Sequence, residues 1–234
     1  MFAIAIAAPL RPTAGPPPAD LLDADRPAEA AARLDRLCHR LEELSPAVLL
    51  RPAADEAFGG TAAAAAVDVF LLLEDPESVV AAVLSALREG GCCLGVGIGR
   101  VGLPAGPPSA GSLTGSGVRL ALAAANEAAR KKPGRTLPVL VRGAVPSQYA
   151  DAAQSVLRLL GRLVTGRSEA EWRVLDQLAP GARGSQGAAA EVLGITSQAV
   201  SKAVGRAGWA EERDGRRAAA LLLGAARQAV DEWS

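Results

Sequence analysis

The chain has 234 residues, half of them apolar and only 3% aromatic, with 25 basic residues balancing 25 acidic ones. That length suits two modest domains or one large one, and the zero formal charge argues against a uniformly basic coat for nucleic acid. Cys38, Cys92 and Cys93 offer neither a disulfide framework nor a CxxC pair, which points to a reducing cytoplasm, and the single histidine, His39, has no partner at metal-ligand spacing.

Phe2 to Leu10 is apolar, lacks a basic start and is too short to cross a membrane. A buried first strand is expected there, with Ile4 and Ile6 alternating with alanines and Pro9 ending the run. No later segment reads as a membrane span either, so no membrane partner is expected. Arg11 to Pro18 is proline-rich loop. Leu34, Leu37, Leu41 and Leu44 recur at helical steps and predict a helix over Ala28–Leu44. Ala47–Pro52 and Ala62–Leu72 read as a hairpin turning around Asp55–Gly60. Asp75-Pro76 opens a helix that Gly90-Gly91 stops. A strand over Cys92–Ile98, a loop over Gly102–Gly117, a helix over Val118–Lys132 and a strand over Leu137–Arg142 follow. The order β-α-β-β-α-β-α-β predicts an α+β fold, an antiparallel sheet with helices on one face. From Ser147 the chain reads as helical: a connecting helix over Gln148–Val164, a helix over Glu169–Leu178, a helix pair within 186–205, a small wing over Trp209–Arg217 with Asp214-Gly215 at its tip, and a closing helix over Ala218–Trp233. The expected domains are therefore 1–146, a connecting helix 147–164, and 165–234.

Three motifs in the first domain have the residue types of a ligand site. Ala54-Asp55-Glu56-Ala57-Phe58 sets an acidic pair on the hairpin turn, Gly95-Val-Gly-Ile-Gly99 is a glycine-rich strand, and Gly115-Ser-Gly117 leads into a helix whose N-terminus faces a phosphate well. Asp55, Glu56, Gly97, Gly99, Gly115 and Gly117 are the candidate residues for a nucleotide or another small effector. Each motif has a plain alternative: a solvated turn, a strand that another backbone approaches closely, and a loop before a helix.

In order and spacing these motifs resemble the nucleotide-cyclase and GGDEF-like group of ferredoxin-like folds. Ala54–Phe58, Val96–Gly99, Gly115–Ala121, Glu171–Trp172 and Gln186–Trp209 together resemble the SatD family across nearly the full length. That resemblance implies a cyclase-like first domain followed by a MarR-like winged helix-turn-helix. Ala7-Ala8-Pro9 stands where the family carries an acidic residue, Ala54 replaces the hairpin glycine, and the cyclase Asn and Arg positions fall on Arg119 and Ala123. Two-metal phosphoryl chemistry needs paired carboxylates for both ions, so no catalysis, metal or cofactor is expected.

Gln186 to Gly205 carries the sharpest pattern. Ala190 is small where two helices cross, Gly194 supplies a positive φ, Ile195 is expected to plug the turn, Thr196 to cap the second helix, and Val200 to return to the core. This spacing predicts a helix-turn-helix binding double-stranded DNA, with helix 197–207 in the major groove. Ser197, Gln198, Ser201 and Lys202 form its reading face, beside Thr196. Gln186, Arg206 and the wing residues Arg213, Arg216 and Arg217 suit phosphates or the minor groove. Trp172 and Trp209 read as core aromatics. One such module contacts few base pairs, so a homodimer is expected, joined through Leu221–Leu223 and Val230 or through Val156–Leu163 unless the monomer covers them. The resulting expectation is a cytoplasmic transcription regulator with a sensory or structural first domain. A nucleotide- or metal-binding cyclase-like enzyme and a protein-interaction scaffold are the alternatives.

Overall fold

The alternation of Phe2, Ile4 and Ile6 with Ala3, Ala5 and Ala7 suits a strand covered on both faces. In the computed structural model of the chain it forms β1 (Phe2–Ala7), the buried middle strand of a five-stranded sheet. Residues 1–7, 26–52, 58, 67–130, 137–178 and 185–233 are described. The elements that follow are α1 (Arg26–Glu42), β2 (Val48–Leu50), β3 (Val69–Leu73), α2 (Pro76–Glu89), β4 (Cys93–Ile98), α3 (Ser116–Arg130) and β5 (Val139–Gly143), the order that periodicity predicted. The strands lie in the order β2-β3-β1-β4-β5. β2 and β3 pair antiparallel, Val48 opposite Leu72, as the hairpin expectation required. Asp75 caps α2 by accepting the Ser78 N–H at 2.7 Å, and Gly90 ends it at φ +77°.

Two expectations about the sheet are corrected. It is mixed rather than antiparallel, because β5 joins β4 parallel, Leu94 opposite Val139. Helix α3 is the crossover between them, and a strand–helix–strand unit returns the chain in the same direction. Helices also cover both faces, not one. Phe2, Ile4, Ile6, Val69, Leu71, Leu94, Val96 and Val139 face a core shared with α1 and α2. Ala3, Ala5, Phe70 and Leu72 face α3 through Val118, Ala121 and Ala125. The physical reason lies in β3: Val69-Phe-Leu-Leu-Leu73 is apolar at both parities and needs two covers.

Among the described residues five helices follow: α4 (Gln148–Thr165), α5 (Glu169–Leu175), α6 (Ser185–Leu193), α7 (Ser197–Arg206) and α8 (Trp209–Glu232). Leu157, Leu160 and Val164 of α4, with Ala219, Leu223, Ala226 and Val230 of α8, enter the same core as α2. The main core therefore runs past residue 146. Leu223 and Val230, offered as a dimer seam, are covered within the monomer, whereas Leu221 is 75% exposed. Between α4 and α8, the helices α5 to α7 keep a separate small core of Val174, Ala189, Ala190, Val200 and Ala203.

The expected wing does not form: Trp209–Arg217 is the start of α8, a continuous helix of 24 residues. Asp214-Gly215 has the composition of a turn, but Gly215 is where α8 crosses α4. A Cβ there would stand 2.6 Å from the Leu160 side chain, so close helix packing accounts for the glycine. No helix among the described residues is long and apolar enough to cross a membrane.

Candidate nucleic-acid interface

Backbone hydrogen bonds build the turn between α6 and α7. Gly194 takes φ +64°, its N–H donates to Glu191 O at 3.3 Å, and the Ile195 N–H donates to Ala190 O at 3.1 Å. These bonds satisfy the last carbonyls of α6. Thr196 caps α7, its hydroxyl accepting the Ala199 N–H at 3.1 Å. Ala190 is buried with Val174, Ala189, Val200 and Ala203 in the small three-helix core. Ile195 departs from expectation. It is 41% exposed, because its main-chain N–H rather than its side chain closes the turn.

With Val200 and Ala203 turned inward, Ser197, Gln198, Ser201 and Lys202 are exposed. They stand as the pairs 197–201 and 198–202, four residues apart and so on one side of the helix. None of the four makes a side-chain hydrogen bond among the described residues. Gln186 is exposed in the first turn of α6. Arg206 is also exposed, its Nε 3.7 Å from Glu171 Oε1, a surface pair that holds it weakly. The Glu171 carboxyl lies below the usual carboxylate range because it accepts the Ser168 N–H and hydroxyl. Arg213, Arg216 and Arg217 stand on the first turns of α8 rather than on a wing. Arg213 pairs with Asp214 at 3.3 Å, Arg216 is held by Glu212, and Arg217 is exposed.

Residues the sequence did not single out hold this module in place. Arg167, buried between α4 and α5, donates through Nε and Nη2 to Ala207 O at 2.9 and 2.7 Å. Ala207 caps the C-terminal end of α7, where a cation suits the helix dipole. Glu212, fully buried on α8, balances the charge: Oε2 lies 2.5 Å from Arg167 Nη2 and Oε1 accepts the Arg216 Nε at 2.6 Å. Glu212 Oε2 makes no well-directed hydrogen bond despite that 2.5 Å approach, so charge holds the pair together. Half-buried Trp172 has two guanidinium groups over its ring, Arg167 at 4.8 Å and Arg88 of α2 at 3.9 Å from the ring centre. Arg88 also makes two bonds of 2.6 Å to Asp176, tying the sheet domain to α5. Trp209 is half-buried as well. A signal for Glu212 was present: it precedes Ala219 by seven residues and Leu223 by eleven, an acid on the apolar stripe of α8.

The candidate effector residues lie elsewhere. Gly95, Gly97 and Gly99 turn one face of β4 into a track on which α3 sits. A Cβ at Gly97 would stand 2.1 Å from Gly117 O, and one at Gly95 2.1 Å from Ala121 O. Gly115 takes φ +109° with its missing Cβ against Arg100 O. The Gly117 N–H donates to Arg100 O at 2.9 Å, and the Arg100 N–H donates to the Ser116 hydroxyl at 3.1 Å. The four glycines Gly97, Gly99, Gly115 and Gly117 therefore line one helix–strand seam, Gly97 and Gly99 packed against Gly117 and Gly115 against Arg100. Asp55 and Glu56 lie outside the described residues.

Cys38 and Cys92 are buried thiols, and burial pushes Cys92 up to about 12. Among the described residues, no three His, Cys, Asp or Glu side chains gather where they could hold a metal ion. Comparison of the chain with protein-family models, curated proteins and solved structures finds no match.

Proposed function

We propose that the chain is a transcription regulator that reads double-stranded DNA with α7, acts as a symmetric pair, and uses its sheet domain as a sensory or structural partner. One observation carries this reading: Ser197, Gln198, Ser201 and Lys202 are exposed and uncommitted on a helix whose opposite face is fixed by its own core, its N-cap and Arg167. Short polar and basic groups held on a rigid helix match base edges in the major groove. Gln186 and Arg206 then serve phosphates, with Arg213 and Arg217 available on α8. In the sheet domain, the order β4-β1-β3-β2, antiparallel throughout, supports the ferredoxin-like and cyclase-like reading and with it the SatD-like resemblance.

The test is DNA binding by wild type and by a Gln198→Ala/Lys202→Ala/Arg206→Ala variant, measured by fluorescence anisotropy on genomic fragments. A fall of at least ~tenfold in affinity is expected, since each good base contact is worth about 1–3 kcal/mol. Equal binding by both proteins removes α7 as the reading helix. A second reading, a module for protein contact, is favoured by Val192 at 69% and Ile195 at 41% exposure beside the turn. Under that reading, charged replacement of Val192 abolishes partner binding while the triple variant retains it.

A further inference from the structure

The helices α5 to α7 form a body of their own, hung between two helices that belong to the main core. The chain enters this module at Gly166, the C-cap of α4, and leaves it at Gly208, which takes φ +60°. Val174, Ala189, Ala190, Val200 and Ala203 close a core separate from the one that α4 and α8 share with α2. Two valines and three alanines, with Leu178, Leu193 and Val204 half-buried around them, are a small core for three helices. A unit of that size does not stay folded on its own apolar burial and needs support from outside.

Support comes at two places. Arg167 ties the two joints together, since it sits beside Gly166 and reaches Ala207 and Glu212 beside Gly208. Away from the joints, Arg88 in the last turn of α2 reaches into the module. Asp176 stands eight residues beyond the N-cap Ser168, about 12 Å along α5, and Arg88 donates to both its carboxylate oxygens at 2.6 Å. The same guanidinium lies 3.9 Å from the centre of the Trp172 ring, and Trp172 packs on the main core. Asp176 is the C-cap of α5, so its charge faces the negative end of that helix and a cation is needed to offset it. Arg88 is that cation, and it belongs to the sheet domain.

We propose that Arg88 is a latch by which the sheet domain controls whether α5, α6 and α7 are ordered. With Asp176 and Trp172 engaged the module is held; with the latch released it opens as one unit, while the main core stays closed. The pair is built to open separately, because the Arg88 side chain is 21% exposed and that of Asp176 45%. The inference stands on the module's own contacts and holds whether or not α7 reads DNA.

Hydrogen exchange read by mass spectrometry on the full chain, without DNA, tests it. In wild type the amides of α5, α6 and α7 are expected to share one level of protection, below that of β1 and β4. Arg88→Met keeps an apolar stem in α2 and removes the charge. It should speed exchange in all three helices at least ~fivefold, the scale of one aligned ion pair together with one cation–π contact, and leave β1 and β4 unchanged. Asp176→Ala, at an exposed position, gives a smaller acceleration in the same helices. The double variant exchanges no faster than Arg88→Met alone, because one arginine carries both contacts. Arg88→Lys recovers part of the protection, and Arg33→Met on α1 changes nothing in the module. Wild-type exchange rates in α5–α7 after Arg88→Met overturn the proposal. So does an acceleration spread through the sheet, one confined to α5, or full additivity of Arg88→Met and Asp176→Ala.

Discussion

The β4–α3 seam and the outer face of α7 are both built from small or polar residues, and the fold treats them in opposite ways. Along the seam, the open side of Gly95, Gly97 and Gly99 is filled by α3 backbone, and the Gly117 and Arg119 amides at the entry to α3 are spent on Arg100 O and Gly115 O. Along α7, Val200, Ala203, Val204 and the cap are spent inward. Ser197, Gln198, Ser201 and Lys202 keep their hydrogen-bonding capacity. The difference teaches how to weigh a motif. Residues whose every neighbour is internal are explained by packing, whereas an exposed polar row on a fixed helix is left free to meet water or a partner.

The largest way to break this comparison is Gly97→Val. Its Cβ would stand 2.1 Å from Gly117 O and 2.6 Å from Ala121 N, backbone atoms that move only if α3 lifts from the sheet. A loss of more than ~4 kcal/mol is expected, enough to prevent folding of a marginally stable domain. Denaturant unfolding checks it. A variant as stable as wild type would show that α3 has room to spare over β4, reopening the seam as a ligand site.

What the sequence revealed followed periodicity. Alternation in Phe2–Ala7, the Asp75-Pro76 start and the Gly90 stop gave the order of strands and helices, because each is a local rule acting on neighbouring residues. The α6–α7 turn was legible for the same reason: Gly194, Thr196 and Val200 act within one short segment. The parts that were not legible depend on distant chain. β5 lies parallel because of where α3 returns it. Gly215 read as a turn because Leu160, far upstream, is what requires a glycine there. Arg167 meets Ala207 and Glu212 across forty or more residues, and only the acid on the α8 stripe hinted at it.

The next effect in size concerns what holds α7 from beneath. Glu212→Ala leaves Arg167 buried without its counter-charge, and removing one member of a buried pair costs about 3 kcal/mol or more. The expected outcome is a free energy of unfolding lowered by that amount. Double substitution with Arg167→Met recovers part of it, because the buried charge goes as well. A neutral Glu212→Ala would mean that α7 is not anchored through its C-terminus.

The sheet domain also has a titratable member. Cys92, buried just before β4, is pushed up to about 12 by desolvation first and by its neighbour Cys93 second. Its folded value lies above the ordinary thiol value of 9.0, so the stability it contributes is complete below pH 9.0 and is lost as pH rises towards about 12. Each pH step in that window costs roughly 1 kcal/mol. Thermal melts across alkaline pH should fall more steeply for wild type than for Cys92→Ala. Parallel curves would assign the alkaline loss to other groups.

The smallest expected stability effect sharpens the comparison most. Gln198→Ala/Lys202→Ala removes two exposed side chains that make no hydrogen bond or ion pair among the described residues, and alanine is a favourable helix former. Stability should therefore stay within about 0.5 kcal/mol of wild type, the usual range for surface positions away from caps and cores. Denaturant unfolding, run beside DNA titration of the same preparation, separates the two roles of a residue. A stability loss would mean that α7 uses these side chains to fold, placing them with the β4 glycines. Unchanged stability with weakened DNA binding would mean that the row exists for a partner, since selection for folding alone does not require Gln and Lys there.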